Sequence, residues 1–181
     1  MTRFILTLVL VGFATLSLAQ EGDAPDILPQ GEPPMTLQRL ADIIRVIDAD
    51  ARAQGAAIEF TVQDIPIVVI ADPRADRMRA MVPIRSAEDL EQADLLRMMQ
   101  ANFDSALDAR YAVAKGRVWG VFIHPLSSLE QDQFLSAVAQ IVNVTRTYGQ
   151  SYSGGAQVFG GGDSNGIYQD LLEDLRKGQA L

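Results

Sequence analysis

Between Thr36 and Gly149 the apolar residues change period four times, and this alternation constrains the fold more than any other property of the chain. Thr36 has the chemistry of an N-cap, and Leu37, Leu40, Ile44, Ile47 and Ala51 follow at steps of three and four up to Gly55, which predicts an amphipathic helix. The period then drops to two. Ile58, Phe60 and Val62 alternate with Glu59, Thr61 and Gln63, residues 67–71 are apolar on both faces, and Asp72-Pro73-Arg74-Ala75-Asp76 supplies a turn. Met78, Ala80, Val82 and Ile84 then alternate with Arg77, Arg79, Met81, Pro83 and Arg85. Helical spacing returns after Ser86, with Leu90, Ala93, Leu96, Met99 and Phe103 running to about Leu107. Residues 110–114 and 118–124 predict a hairpin about Lys115-Gly116. Beyond Pro125, Ser127 with Glu130, or Ser128 with Gln131, caps a third helix that carries Phe134, Val138, Ile141, Val142, Thr145 and Tyr148. The expected fold is α+β, an antiparallel five-stranded sheet with helices on one face, in the order α-β-β-β-α-β-β-α.

The flanks differ in character from this domain. Arg3 precedes an apolar run from Phe4 to about Leu16, and Ser17-Leu18-Ala19 places small residues ahead of a cut before Gln20, so residues 1–19 predict a signal peptide. The alternative is an uncleaved anchor helix, the chain's only expected membrane contact. Export, to the periplasm if the source is Gram-negative, agrees with a sequence that has no cysteine to mispair. Residues 20–35, with four prolines among acidic residues, predict a tether, and residues 150–166 a Gly/Ser-rich linker. Residues 167–181 carry Ile167, Leu171, Leu172 and Leu175 as one stripe of a short helix.

Composition narrows the chemistry. A formal charge of −8 over 181 residues argues against nucleic-acid partners, which need clustered Lys and Arg. Zero Cys and one His leave no thiol, iron–sulfur or multi-histidine zinc site, and no cofactor is expected. Gly160 to Gly166 lacks the Gly-Lys-Ser/Thr ending of a phosphate loop, and Ile167 would occupy a ligand position of a calcium loop. One catalytic alternative remains: a hydrolase pairing His124 with Ser127 or Ser128 and an acidic residue such as Asp104 or Asp108. The serines are explained equally by helix capping, and no G-x-S-x-G elbow is present.

Two strands are too apolar for a sheet covered on one side only. Ile67 and Val69 on one strand, and Trp119, Val121, Phe122 and Ile123 on another, are candidate binding residues, together with the arginines Arg77, Arg79 and Arg85 beside them. Burial of the second face by the tether or the C-terminal helix is the competing explanation. On the second helix, Leu96, Met98, Met99 and Phe103 are candidates for a dimer face, with adjacent Met98 and Met99 pointing to different sides.

Asn102-Phe103-Asp104-Ser105-Ala106-Leu107-Asp108-Ala109-Arg110-Tyr111-Ala112, and then Trp119 to Ser128 (WGVFIHPLSS), resemble the YbjN-like proteins related to type III secretion chaperones of the CesT type. The order of elements over residues 36–149 agrees with that resemblance. It implies a non-enzymatic domain that binds a protein or peptide segment and forms a homodimer. The signal peptide, tether and Gly-rich tail depart from those small cytoplasmic chaperones. The expected function is therefore an exported, chaperone-like binding module. The alternatives are the His124 hydrolase and a purely structural domain capped by its own C-terminal helix.

Overall fold

The computed structural model describes residues 31–104, 107–149 and 165–178. Their elements are α1 (Leu37–Ile47), β1 (Arg52–Gln54), β2 (Ala57–Val62), β3 (Ile65–Asp72), β4 (Arg77–Ser86), α2 (Gln92–Asp104), β5 (Arg110–Ala114), β6 (Arg117–His124), α3 (Gln131–Arg146) and α4 (Asn165–Arg176). The chain divides into two units, Met1–Gly31 and Glu32–Leu181. The expected signal peptide, the tether up to residue 30 and the linker over 150–164 lie outside the described residues. No described helix is long and apolar enough to cross a membrane.

The α+β class and the antiparallel sheet agree with the alternating periods, but the sheet has six strands rather than five, ordered β1-β2-β3-β4-β6-β5, and a fourth helix follows α3. The sixth strand, β1, lies where the first helix was expected to continue. Asp48 stops that helix: its carboxylate accepts the N–H of Asp50 at 2.9 Å and the N–H of Thr61 at 2.8 Å, so the chain turns back along the sheet. Gly55, at φ +62°, serves the β1–β2 hairpin and not the helix end. Two further hairpins close on two-residue turns with both residues left-handed, Gln63 (φ 48°) with Asp64 (φ 65°), and Lys115 (φ 50°) with Gly116 (φ 68°). Such turns match the strand twist and fix register, pairing Phe60 with Ile67 and Val118 with Val113.

Ile58, Phe60, Val62, Ile67, Val69, Met78, Ala80, Val82, Val118 and Phe122 form the covered face of the sheet. Against it lie α1, through Leu40, Ile44 and Ile47, and α3, through Phe134, Val138 and Ile141. The approach of α3 to β6 is closest at Gly120, where a Cβ would meet Val144 Cγ2 at 3.0 Å. Helix α3 starts at Glu130 with a reciprocal cap to Gln133, so neither expected pairing, Ser127 with Glu130 or Ser128 with Gln131, forms the cap; Ser127 turns instead to Asp76. Glu32 accepts the N–H of Gln131 at 2.9 Å and pairs with Arg39 at 2.5 Å. That carboxyl is held below its usual range, first by the Gln131 N–H and then by Arg39, and it meets the positive end of α3. Met35 is buried and its N–H reaches the carbonyl of Ser127, so the last residues of the expected tether belong to the folded domain.

Helix α4 packs on α3, away from the sheet. Leu171, Leu172 and Leu175 are buried, the Tyr168 and Ser136 hydroxyls are 2.9 Å apart, and Arg176 grips Asp132 through two hydrogen bonds of 2.6 and 3.2 Å. The alternative in which this helix folds back over the sheet is not what the fold shows: it seats on α3, and Leu135 and Leu175 line one hollow with Ile43 and Ile47 of α1.

Candidate functional site

The second face of the sheet carries none of the described helices. Cross-strand pairing arranges it in rows: Val68, Met81 and Val121 form one, Ile70, Arg79 and Ile123 the next, and Pro83 with Trp119 and Ala112 a third. Apolar side chains in such rows touch their neighbours across strands about 4.8 Å apart, which makes one continuous surface. The indole N–H of Trp119 donates to the Ala114 carbonyl at 2.9 Å, tying the ring to the β5–β6 hairpin. A hollow of about 420 Å³ is lined by Trp119, Val121, Met81, Ile70, Ile123 and Arg79. A second, of about 400 Å³, shares Ile70, Arg79 and Ile123 and extends toward Arg77 and Asp72. A water-exposed sheet face normally alternates to polar side chains, so a run of this kind marks a surface that something covers.

The candidate residues named from sequence separate onto two faces. Trp119, Val121, Ile123, Arg77 and Arg79 meet on the open face. Ile67, Val69 and Phe122 lie on the covered face, where they are buried in the core and unavailable to a partner. Arg85 is out of phase as well. The β4–β6 register shifts between Pro83 and Arg85, and Arg85 pairs with Val118, a covered-face residue. Proline has no N–H for the ladder, and the slip follows it directly. Val68, Ile70, Met81 and Ala112 complete the open face and were missing from the candidates. Their signal was present in the two-residue Gln63-Asp64 turn, which puts Ile67 opposite Phe60 and so turns Val68 and Ile70 outward.

Helix α2 divides its apolar residues as Met98 and Met99 suggested. Met98 is 2% exposed, whereas Leu96, Met99 and Phe103 are 58%, 57% and 82% exposed, with Leu95 beside them. Three of the four residues named for a dimer face are therefore available to one, and Met98 serves the core.

A separate polar cleft of about 600 Å³ lies beside the chain's single histidine, lined by Asp108, Arg110, His124, Asp132, Ser136 and Arg176 among others. Several of its polar groups are engaged within the protein. Arg176 holds Asp132, the Arg110 guanidinium donates to the carbonyls of Leu107 and Ala109, and Gln140 accepts the N–H groups of Asp108 and Ala109. The His124 ring stacks on Phe122, and its Nδ1–H donates to the Pro125 carbonyl at 2.8 Å, since a carbonyl can only accept. Ser127 donates its hydroxyl to Asp76 at 2.9 Å, and neither Ser127 nor Ser128 lines the cleft. The Asp76 carboxyl is held below its usual range, first by the Ser127 N–H at 2.7 Å and next by the Ser127 hydroxyl. These contacts fasten the loop before α3 to the β3–β4 turn, and the nucleophile–base pair of the hydrolase alternative is not assembled. Among the described residues, no three His, Cys, Asp or Glu side chains come together as metal ligands would.

No family model matches the sequence, and no curated protein matches it. A solved structure similar to this chain is that of the HopA1–SchA chaperone–effector complex, at 10% identity and a TM-score of 0.45, covering 53% of this chain and 77% of that one. A likeness at that identity and TM-score carries no functional argument.

Proposed function

We propose that the chain is an exported, non-enzymatic, chaperone-like module that captures a protein or peptide segment on the open face of its sheet, with two copies associating through α2. The reading rests on one observation, the continuous apolar surface formed by Val68, Ile70, Met81, Trp119, Val121 and Ile123 with Arg79 among them. A surface of this composition, with an aromatic and an arginine side chain flanking its apolar middle row, has the character of a binding patch. The sequence resemblance to YbjN-like proteins and secretion chaperones supports the same function, and the apolar run at the N-terminus supports export, into the periplasm of a Gram-negative source. Exposed Leu96, Met99 and Phe103 support the dimer. The purely structural reading gains from the seating of α4 on α3, but it assigns nothing to the open face.

Capture from a periplasmic extract tests the proposal. The full chain is compared with a variant combining Trp119→Ala and Ile123→Asp, and with one combining Leu96→Asp and Met99→Asp. The first variant is expected to lose the captured partner while keeping its circular dichroism spectrum; equal capture by it removes the face from the function. The second is expected to sediment as a monomer, and an unchanged sedimentation coefficient removes α2 as the dimer contact.

A further inference from the structure

The edges of the sheet limit how a segment can lie on it. At the β5 edge, the Tyr111 N–H donates to Asn102 Oδ1 at 2.7 Å and Asn102 Nδ2 donates to the Tyr111 carbonyl at 3.2 Å. At the other edge β1 is three residues long, and beyond it the outward N–H of Thr61 is taken by Asp48. At each edge a side chain thus takes a backbone group that an added strand would need, and β1 offers only three residues, so both edges are poor templates for pairing. The open face is the larger surface for a partner. There an extended chain would press unpaired N–H and C=O groups onto Val68, Met81 and Val121, whereas a helix satisfies its own backbone and presents only side chains.

The dimensions agree with one helix. From Trp119 to Ile123 the apolar ground runs about 13 Å along β6 at ~3.3 Å per residue, or between two and three helical turns. Across β3, β4 and β6 it spans about 10 Å, the width of a helix with its side chains. Charge adds a further condition. Arg79 stands between Ile70 and Ile123 in one cross-strand row and has no hydrogen-bond or ion-pair partner among the described residues. An apolar stripe laid over it would strip water from an unpaired guanidinium unless it brought a carboxylate. Lys115 borders the same hollow. We propose that the open face receives an amphipathic helix whose apolar stripe carries a Glu or Asp that pairs with Arg79; the inference rests on the open face being the binding surface.

Trp119 is the only tryptophan of the chain and lines the hollow, so its emission reports occupancy directly. The probe is a synthetic, hydrocarbon-stapled 18-residue helix without tryptophan, bearing a leucine stripe with one central glutamate, titrated into the full-length chain. A blue shift is expected, with affinity falling at least tenfold when the peptide glutamate becomes lysine or when the chain carries Arg79→Glu. Combining both changes is expected to restore it. Arg79→Gln, which keeps the length without the charge, should fall between. Equal affinity for the glutamate and lysine peptides overturns the Arg79 pairing. Equal binding of an unstapled, proline-interrupted peptide of the same composition overturns the helix while leaving the face as the binding surface. No response to any peptide, with partner capture still lost on Trp119→Ala and Ile123→Asp, has the same meaning. A shift produced by phosphatidylglycerol vesicles and by no peptide assigns the face to lipid and overturns both proposals.

Discussion

Gly120 sets how closely α3 seats on the sheet, and replacing it with alanine puts a number on that contact. The added Cβ would lie 3.0 Å from Val144 Cγ2 and 3.5 Å from both the Ile141 carbonyl oxygen and Thr145 Oγ1. Carbon atoms prefer about 3.5–4.0 Å, so α3 must move outward by several tenths of an ångström or Val144 must leave its rotamer, which a β-branched side chain in a helix resists. Overpacking of this kind costs roughly 1–3 kcal/mol, and the reduced freedom of the unfolded chain returns about 0.5–1 kcal/mol. Gly120→Ala should therefore destabilise by up to about 2.5 kcal/mol. Val144 is almost wholly buried, and Val144→Ala alone should cost about 1.5–3 kcal/mol. In that background the clash is gone, so Gly120→Ala becomes neutral or stabilising and the cycle shows a coupling of about 1–3 kcal/mol. Urea denaturation followed by far-ultraviolet circular dichroism measures all four proteins without relying on Trp119 next door. The same cost for Gly120→Ala in both backgrounds, or a gain in the parent chain, would refute the contact.

Asn102→Ala removes both hydrogen bonds to Tyr111 and should cost roughly 1–3 kcal/mol. It also bares the β5 edge, and concentration-dependent association in light scattering is the second expected result; a variant as stable and as monodisperse as the parent sinks the edge-blocking role. Burial pushes the Tyr111 hydroxyl from 10.0 up to about 12, where it bonds the Val144 carbonyl at 2.5 Å. The folded state holds this proton more tightly, so the contribution is whole below pH 10 and falls by about 1.4 kcal/mol per unit as pH rises toward 12. Tyr111→Phe should flatten that part of the stability profile, and an identical alkaline slope in the variant removes Tyr111 as its cause.

Much of the covered face was legible because polar residues mark the other phase: Glu59 and Thr61 send Ile58, Phe60 and Val62 inward. Where both phases are apolar, as in β3 and β6, alternation alone cannot choose a face, and it groups Ile67, Val69 and Phe122 with residues of the opposite face. The choice is made by turn geometry, and the left-handed pair Gln63-Asp64 carries it without any Gly or Asn to announce it. β1 leaves no apolar alternation because Arg52-Ala53-Gln54 buries none of its side chains. The first helix ends at Asp48 through a contact with Thr61, thirteen residues away, while the three- and four-residue spacing continues past it to Ala51. The bulge after Pro83 likewise shows only in the paired strands, and alternation alone groups Arg85 with Arg77 and Arg79.

The seating of α4 has a temporal side. Ten residues of α3 are buried, on the sheet side and on the side that Leu171, Leu172 and Leu175 cover, so this helix cannot be dry all round until residues far beyond it have arrived. A chain emerging from a ribosome would have α1, the sheet and α3 in hand while the outer flank of α3, Leu135 included, still faced water. The last stretch to appear completes the core. Until then the nascent protein offers its surroundings a sticky helix.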